Sequence, residues 1–479
     1  MKTTMIQRTP SEEISRIFQL QSAHSNLMRL RTTNASERLR KVRTVKSYLL
    51  RKENIEMLCK ALHADLRKSH SETEANELAP VLLVIKHIED NLRKWMSDRK
   101  VETPLAMSGL SSHVRYESKG AVLVIAPWNY PFQLVLVPYL HAMVAGNAVM
   151  VKPSEYVPAT SAFLESMFKE LFDESEVAFA FGEADVAQEV LNLPFHHIFF
   201  TGSPSVGKLV MQAAARNLTS VTLELGGKSP VVIHESYDIR VAAKKIAWAK
   251  TMNCGQTCIA PDYVLLPEGS EKRFAEEFAK AVAEFYNPSG GGIAASTDYS
   301  RIINRKNLIR LKNLMEQDLE AGAQLLYGGA MDEDDLFIEP TLLCNMTTSM
   351  GLMQQEIFGP ILPVCTYKRM DDALHTINGL ERPLALYILS NDSKAIKHML
   401  INTTSGGVGI NELMVTSVNP ALPFGGVNHS GIGRSNGLAG FISFSNERGV
   451  VRRRWGTFAP IYPPYKPWLI SLLRKLTRF

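Results

Sequence analysis

The sequence predicts an α/β protein built on a doubly wound parallel sheet. Three observations carry that expectation. Short apolar runs recur from residue 121 onward, at 121–126, 148–151, 177–181, 197–200 and 220–225. Longer stretches with helical character separate them, around 133–146, 158–172, 184–192 and 205–216. The runs are predominantly apolar, as strands covered by helices on both faces require. Ligands of such sheets bind at the carboxyl ends of the strands, so the segments leaving those ends are where function is sought.

In chain order, the first hundred residues read as helices. Thr9-Pro10-Ser11-Glu12 offers a capping box with proline at the first helical position, and Asn34 with Glu37 and Ser71 with Glu74 give two more start signals. Leu39, Val42, Val45 and Leu49 then share one helical face. Segment 101–120 is polar and Gly/Ser-punctuated, with an alternating stretch that suggests a hairpin or arm. The long apolar region 134–151 is broken by Pro138, His141, Gly146 and Asn147, so it reads as a buried helix followed by a strand rather than a membrane span. A second alternating region runs from about 229 to 408, with strands at 263–266 and 361–367 and helices near 271–286 and 303–321. The expected organisation is one domain from 1–100 and 121–225, a second from 226–408, an arm from 101–120 and 436–460, and a basic amphipathic tail at 461–479.

Bulk properties exclude several classes. The chain of 479 residues is 45% apolar and 21% charged, a globular composition long enough for about two or three domains. A net charge of +5 carries no nucleic-acid signature, and its surplus gathers near the C-terminus. Five irregularly spaced cysteines argue against a disulfide framework and for a reducing, cytoplasmic setting. Cys254 and Cys258 lack a second Cys/His pair at ligand spacing, so no metal is expected. The N-terminus lacks the apolar core of a signal peptide.

Two segments carry the chemistry. Glu224 ends a strand-like run beside Gly226 and Gly227, and Cys258 sits in a small-residue loop with Gly255, Gln256 and Thr257. A covalent mechanism needs such a thiol to attack and such a carboxylate to activate water. Other strand ends add candidates, each with a plain alternative. The turn from Phe200 to Lys208 has the spacing GxxxxG, and reads equally as a pyrophosphate cradle or an ordinary strand–helix turn. Lys152 and Glu155 are suited to ribose hydroxyls or to a solvated pair. Asn129 is placed to donate to an oxyanion or to cap a turn between prolines. His429, in a glycine loop, is the rival base but has no acidic neighbour in sequence.

Together these residues resemble the NAD(P)-dependent aldehyde dehydrogenase superfamily over roughly residues 15–455, most of all its class 3 branch, which acts on fatty and aromatic aldehydes. The resemblance rests on APWNYPF (126–132), AGNAVMVKPSE (145–155), FTGSPSVGK (200–208), LELGGKSP (223–230), NCGQTCIAPDYVL (253–265), EIFGP (356–360) and LPFGGVNHSGIG (422–433). It implies a Rossmann-type cofactor domain at 1–100 and 121–225, an α/β catalytic domain at 226–408 and a small β oligomerisation arm. It also implies a thiohemiacetal and then a thioester on Cys258, with Glu224 as general base, Asn129 and the Cys258 amide as oxyanion hole, and release of a carboxylate. Trp128, Lys152, Glu155, Gly202, Ser203, Gly207, Glu356 and Phe358 are the implied contacts of NAD, with NADP as the alternative cofactor. Acylating relatives that use coenzyme A generally lack the glutamate that stands here as Glu224. A homodimer is implied, and a non-catalytic scaffold on the same fold is the remaining alternative. The chain departs from the class 3 pattern at 434–440, where Arg434-Ser435-Asn436-Gly437 replaces a stretch usually carrying aromatic, His and Lys residues. The tail at 467–479 interleaves apolar and basic residues, which suits either peripheral contact with an anionic membrane or packing on protein.

Overall fold

A computed structural model describes residues 7–456 and 462–477. A six-stranded sheet has the spatial order Gly431–Ile432, Ser220–Glu224, His197–Thr201, Ala121–Ile125, Ala148–Lys152, Val177–Phe179. All its pairings are parallel except that of Gly431–Ile432. The chain runs outward from Ala121–Ile125 to one edge, then returns to place His197–Thr201 on its other side. The switch point therefore lies between those two strands, and Ala126–Asn129 and Gly202–Ser203 leave it at the carboxyl end, where a crevice forms.

A seven-stranded sheet has the order Gln324–Tyr327, Thr341–Cys344, Ile361–Tyr367, Tyr263–Pro267, Pro230–Ile233, Ala385–Leu389, Gly407–Ile410. It is parallel but for its first pair. A third sheet is antiparallel: Leu110–Ser118 pairs along its whole length with Ser445–Arg453 and, near its middle, with Arg99–Val101. These strands fall within 101–120 and 436–460, the segments where an arm is expected, apart from Arg99 and Lys100. Residues 437–443 are helical and pack on the helices Ala79–Trp95 and Gln133–Ala145, and Phe441 and Phe444 lie in their core. The strand that pairs with Leu110–Ser118 thus starts at Ser445, because two large aromatic side chains tie the preceding segment to the core against the six-stranded sheet.

The helix Gln133–Ala145 shows why the apolar run folds as it does. It is apolar on every side, and all residues from Val135 to Ala145 are buried, so it must sit between layers. It ends at Gly146, whose φ of 90° is left-handed, and an added Cβ would lie 2.7 Å from the Arg38 guanidinium. Arg38 donates to the Val144 carbonyl at 2.8 Å, placing a cation at the negative end of the helix.

Of the start signals, Asn34 and Glu37 form a full capping box. The other two differ. Thr9 accepts from the Phe181 amide instead of capping the first helix, which begins at Ser11 without a side-chain cap. Ser69, not Ser71, caps the turn His70–Thr73. That turn runs into a π-helical turn, Glu74–Leu78, before the helix Ala79–Trp95.

Candidate active site

The carboxyl end of the six-stranded sheet and the amino end of the seven-stranded sheet face a shared cavity of about 880 Å³. Cys258, Glu224, Asn129, Trp128, Gly202, Ser203, Glu356 and Phe358 all line it. Lys152, Glu155 and Gly207 are not among its lining residues.

Cys258 is presented by a strained loop. The helix Ile239–Thr251 stops and three successive residues adopt left-handed backbone: Asn253 (φ 51°), Cys254 (φ 53°) and Gly255 (φ 73°). Such conformations persist only where the surroundings over-determine them. Here the Asn253 amide donates to Glu72 at 2.7 Å, and the Asn253 side chain donates to the Asn129 carbonyl at 2.9 Å. The Gln256 side chain donates to the Arg301 carbonyl and accepts from the Ile303 amide, both at 2.9 Å. A Cβ at Gly255 would lie 2.3 Å from the Gly359 carbonyl oxygen, so only glycine allows this approach.

Asn129 is fixed from both ends. Its carbonyl also accepts from Lys68 Nζ at 2.8 Å, and its side-chain Nδ2 donates to the Gln256 carbonyl at 3.0 Å. The amide carries a second hydrogen, available to a negative oxygen in the cavity. Lys68 is fully buried and pairs with the equally buried Glu77 at 2.6 Å, while Glu77 also accepts from the Gln133 amide. The π-helical turn carries Glu77, so that irregular turn supports the asparagine. Removing Lys68 would strand a buried carboxylate. Lys68→Met is expected to lower unfolding free energy by about 3–5 kcal/mol, measured by urea denaturation; a loss below about 1 kcal/mol, the range of exposed pairs, would contradict this.

Glu224 ends its strand and is 5% exposed. Its Oε1 accepts from the Ser435 hydroxyl at 2.8 Å, and its buried Oε2 has no partner among the described residues. Burial raises its pKa to about 8, opposed by Ser435 and then Arg434. Burial likewise pushes Glu356 up to about 8, with Asp262 adding to the rise. Glu356 packs so closely on Gly226 that a Cβ there would lie 2.0 Å from its Oε2. Its loop is clamped by Asp262, which accepts from the Ile357 amide at 3.0 Å and pairs with buried Lys228, and by Arg310, which donates to the Ile357 carbonyl at 2.6 Å. Phe358 adopts φ 53°, rare for a bulky residue, and meets Trp128 edge-on at 5.3 Å. The Cys258 thiol is pushed up to about 12 by burial, then by Glu356 and Glu224, against the amides of Cys258 and Ile259.

The remaining candidates separate. Ser203 caps the helix Pro204–Ala215, and Gly202 lies against the Phe200 ring, where a Cβ would approach to 2.5 Å. Gly207 spends its amide on the Ser203 carbonyl, and a Cβ there would meet Leu225 at 2.8 Å, so it serves helix–sheet packing. Lys152 is buried at its strand end, bonded to the Pro153 carbonyl at 3.0 Å and to Glu155 at 3.4 Å. His429 lines the cavity and finds an acidic partner remote in sequence, Glu381, at 2.7 Å, but it is 45% exposed in its side chain. Cys254 is fully buried against the Tyr299 hydroxyl. Sequence reasoning missed Lys68 and Glu77, named Gln256 only as a loop neighbour of Cys258, and noted Ser435 only as a departure.

This arrangement fits a dinucleotide. A capped helix N-terminus with a glycine turn leaves the switch point, and the buried Glu356 Oε1 lacks a partner on the cavity side of the second sheet. The sequence profile of the aldehyde dehydrogenase family matches residues 2–450. The chain belongs to the aldehyde dehydrogenase family. It is similar to 4,4'-diaponeurosporen-aldehyde dehydrogenase of Staphylococcus aureus, at 40% identity over 85% of this chain and 88% of that one. Aldehyde dehydrogenase family 3 member B2 of Mus musculus is 39% identical over 92% of this chain and 91% of its own length. A solved structure of Staphylococcus aureus AldH in a substrate-bound state superposes with a TM-score of 0.90 at 37% identity, covering 96% of this chain and 99% of that one. This aldehyde dehydrogenase is therefore an oxidoreductase that oxidises aldehydes with NAD(P)+, and its relatives place it with the class 3 branch.

Proposed function

We propose that this enzyme oxidises medium- and long-chain aliphatic or aromatic aldehydes to carboxylates through a thioester on Cys258. The observation that carries the proposal is the convergence of Cys258, Asn129, Glu224 and Glu356 on one cavity. The Cys258 thiol gives its proton to water in the cavity, the thiolate attacks the aldehyde carbon, and the Asn129 amide and the Cys258 backbone N–H hold the resulting oxyanion. Bound NAD(P)+ supplies the hydride acceptor that brings the carbon to the thioester level. Glu224 then takes a proton from water, whose oxygen attacks the thioester; the carboxylate leaves and the Cys258 sulfur is released. Lys152 and Glu155 would hold the adenosine ribose, Gly202 and Ser203 the pyrophosphate, Glu356 the nicotinamide ribose, and Phe358 with Trp128 the ring. Gly207 contributes by closing helix on sheet. Glu155 would repel a 2′-phosphate, which favours NAD over NADP. Glu224 favours water over coenzyme A as acyl acceptor. A scaffold would need neither two buried carboxyls nor a strained thiol loop.

The substrate class is supported by an apolar stretch of cavity wall that includes Ala79, Leu83, Leu134, Val137 and Val418. Each methylene buried there contributes about 0.8 kcal/mol, roughly a fourfold gain in kcat/KM. Initial rates of NADH formation should rise steeply from propanal to decanal, with benzaldehyde turned over; a flat profile would exclude this class.

We also propose a homodimer through the three-stranded arm, and peripheral membrane contact by the C-terminal tail of an otherwise cytoplasmic enzyme. Among the described residues no helix is long and apolar enough to cross a membrane. The helix Pro467–Thr477 leaves Trp468, Ile470 and Leu472 exposed, with Arg474 and Lys475 in its last turn; positions 461, 478 and 479 of the tail lie outside the described residues. Deleting 466–479 should abolish cosedimentation with anionic vesicles, and unchanged binding would end that reading.

A further inference from the structure

The segment Arg434–Asn436, where the chain leaves the class 3 pattern, reaches the reacting groups. Ser435 is 8% exposed, and its backbone is held by a two-way bridge to Phe424, with N–H···O distances of 2.6 and 3.0 Å. Arg434 is anchored beside it on the carbonyls of Gly426 and Gly433. A short side chain on so fixed a backbone has little freedom. Its hydroxyl has two acceptors in range: Glu224 Oε1 at 2.8 Å and the Phe424 carbonyl at 3.5 Å. The shorter contact, to a group that becomes a carboxylate, is the stronger. One Glu224 oxygen is therefore occupied, and the other, Oε2, is buried without a partner among the described residues.

We propose that Ser435 is a positioning residue that holds Glu224 by Oε1 and thereby assigns proton abstraction from the hydrolytic water to Oε2. The inference rests on Glu224 being the general base. The donated hydrogen bond does two things. It fixes the carboxylate rotamer toward the thioester, and it favours the charged form against the burial that opposes it. In hydrolysis the water proton passes to Oε2, the water oxygen bonds the acyl carbon, and the C–S bond breaks; the Ser435 hydroxyl keeps its own proton throughout.

The test follows the burst of NADH and the subsequent hydrolysis of the acyl-enzyme by stopped flow across pH 6–10 in the wild type, Ser435→Ala, Ser435→Thr and Glu224→Gln. Loss of the hydroxyl raises the pKa of the base, so the acid limb of hydrolysis should move up by about one pH unit, a roughly tenfold slowing below the limb. The burst should persist, and Ser435→Thr should return the limb toward its wild-type position. An unmoved limb in Ser435→Ala, with hydrolysis lost in Glu224→Gln, would overturn the role of Ser435 and leave the base intact. Normal hydrolysis in Glu224→Gln would overturn both.

Discussion

Cys258→Ala is expected to lower kcat for NADH formation by at least about 10⁴-fold, more than about 5 kcal/mol of transition-state stabilisation. The loss is large because without sulfur no covalent adduct forms, and Asn129 is left with no oxyanion to hold. The substitution is small and the loop is secured by contacts of Asn253 and Gln256, so folding and cofactor affinity should be retained. Steady-state assay together with NAD+ titration by protein fluorescence checks both halves. Retained turnover would move the nucleophile elsewhere; Cys254→Ala is the internal control, since that thiol is fully buried against Tyr299.

Glu224→Gln should separate the two halves of the reaction. Glutamine keeps the size of the side chain and a carbonyl that can accept from Ser435, but it cannot take a proton from water. One equivalent of NADH should form per site, after which turnover falls by about 10²–10⁴-fold, the usual contribution of a general base. The pH profile carries the sign. Burial lifts Glu224 from its ordinary value to about 8, and only the carboxylate acts as base, so hydrolysis in the wild type should climb with pH and level off above about 8. Glutamine has no such group, and the limb should vanish with it. A burst-free progress curve in Glu224→Gln would place the glutamate in the first half-reaction instead.

How far the sequence disclosed this centre follows from where each residue lies. Cys258, Glu224, Asn129, Gly202 and Glu356 each sit in a short motif leaving an apolar strand or a helix end, and the carboxyl end of the first sheet meets the amino end of the second at one cavity. The residues that tune them carry no local signal. Lys68 meets the Asn129 carbonyl across 61 positions, and Ser435 meets Glu224 across 211. A lysine and a glutamate nine positions apart, as Lys68 and Glu77 are, read as surface charges until a π-helical turn buries both. His429 shows the same limit: it has no acidic neighbour in sequence, and its partner Glu381 is supplied by a different loop. Helix starts failed where tertiary demand won, as when Thr9 turned to the Phe181 amide rather than to its own helix.

The central claim is that the substrate becomes a thioester on Cys258 before water reaches it. Glu224→Gln protein mixed with NAD+ and decanal, quenched in acid and digested, tests this by mass spectrometry. The account predicts a decanoyl group on the peptide that carries Cys258, in amount equal to the NADH released. NADH released with Cys258 unmodified, or an acyl group found on another residue, would contradict it.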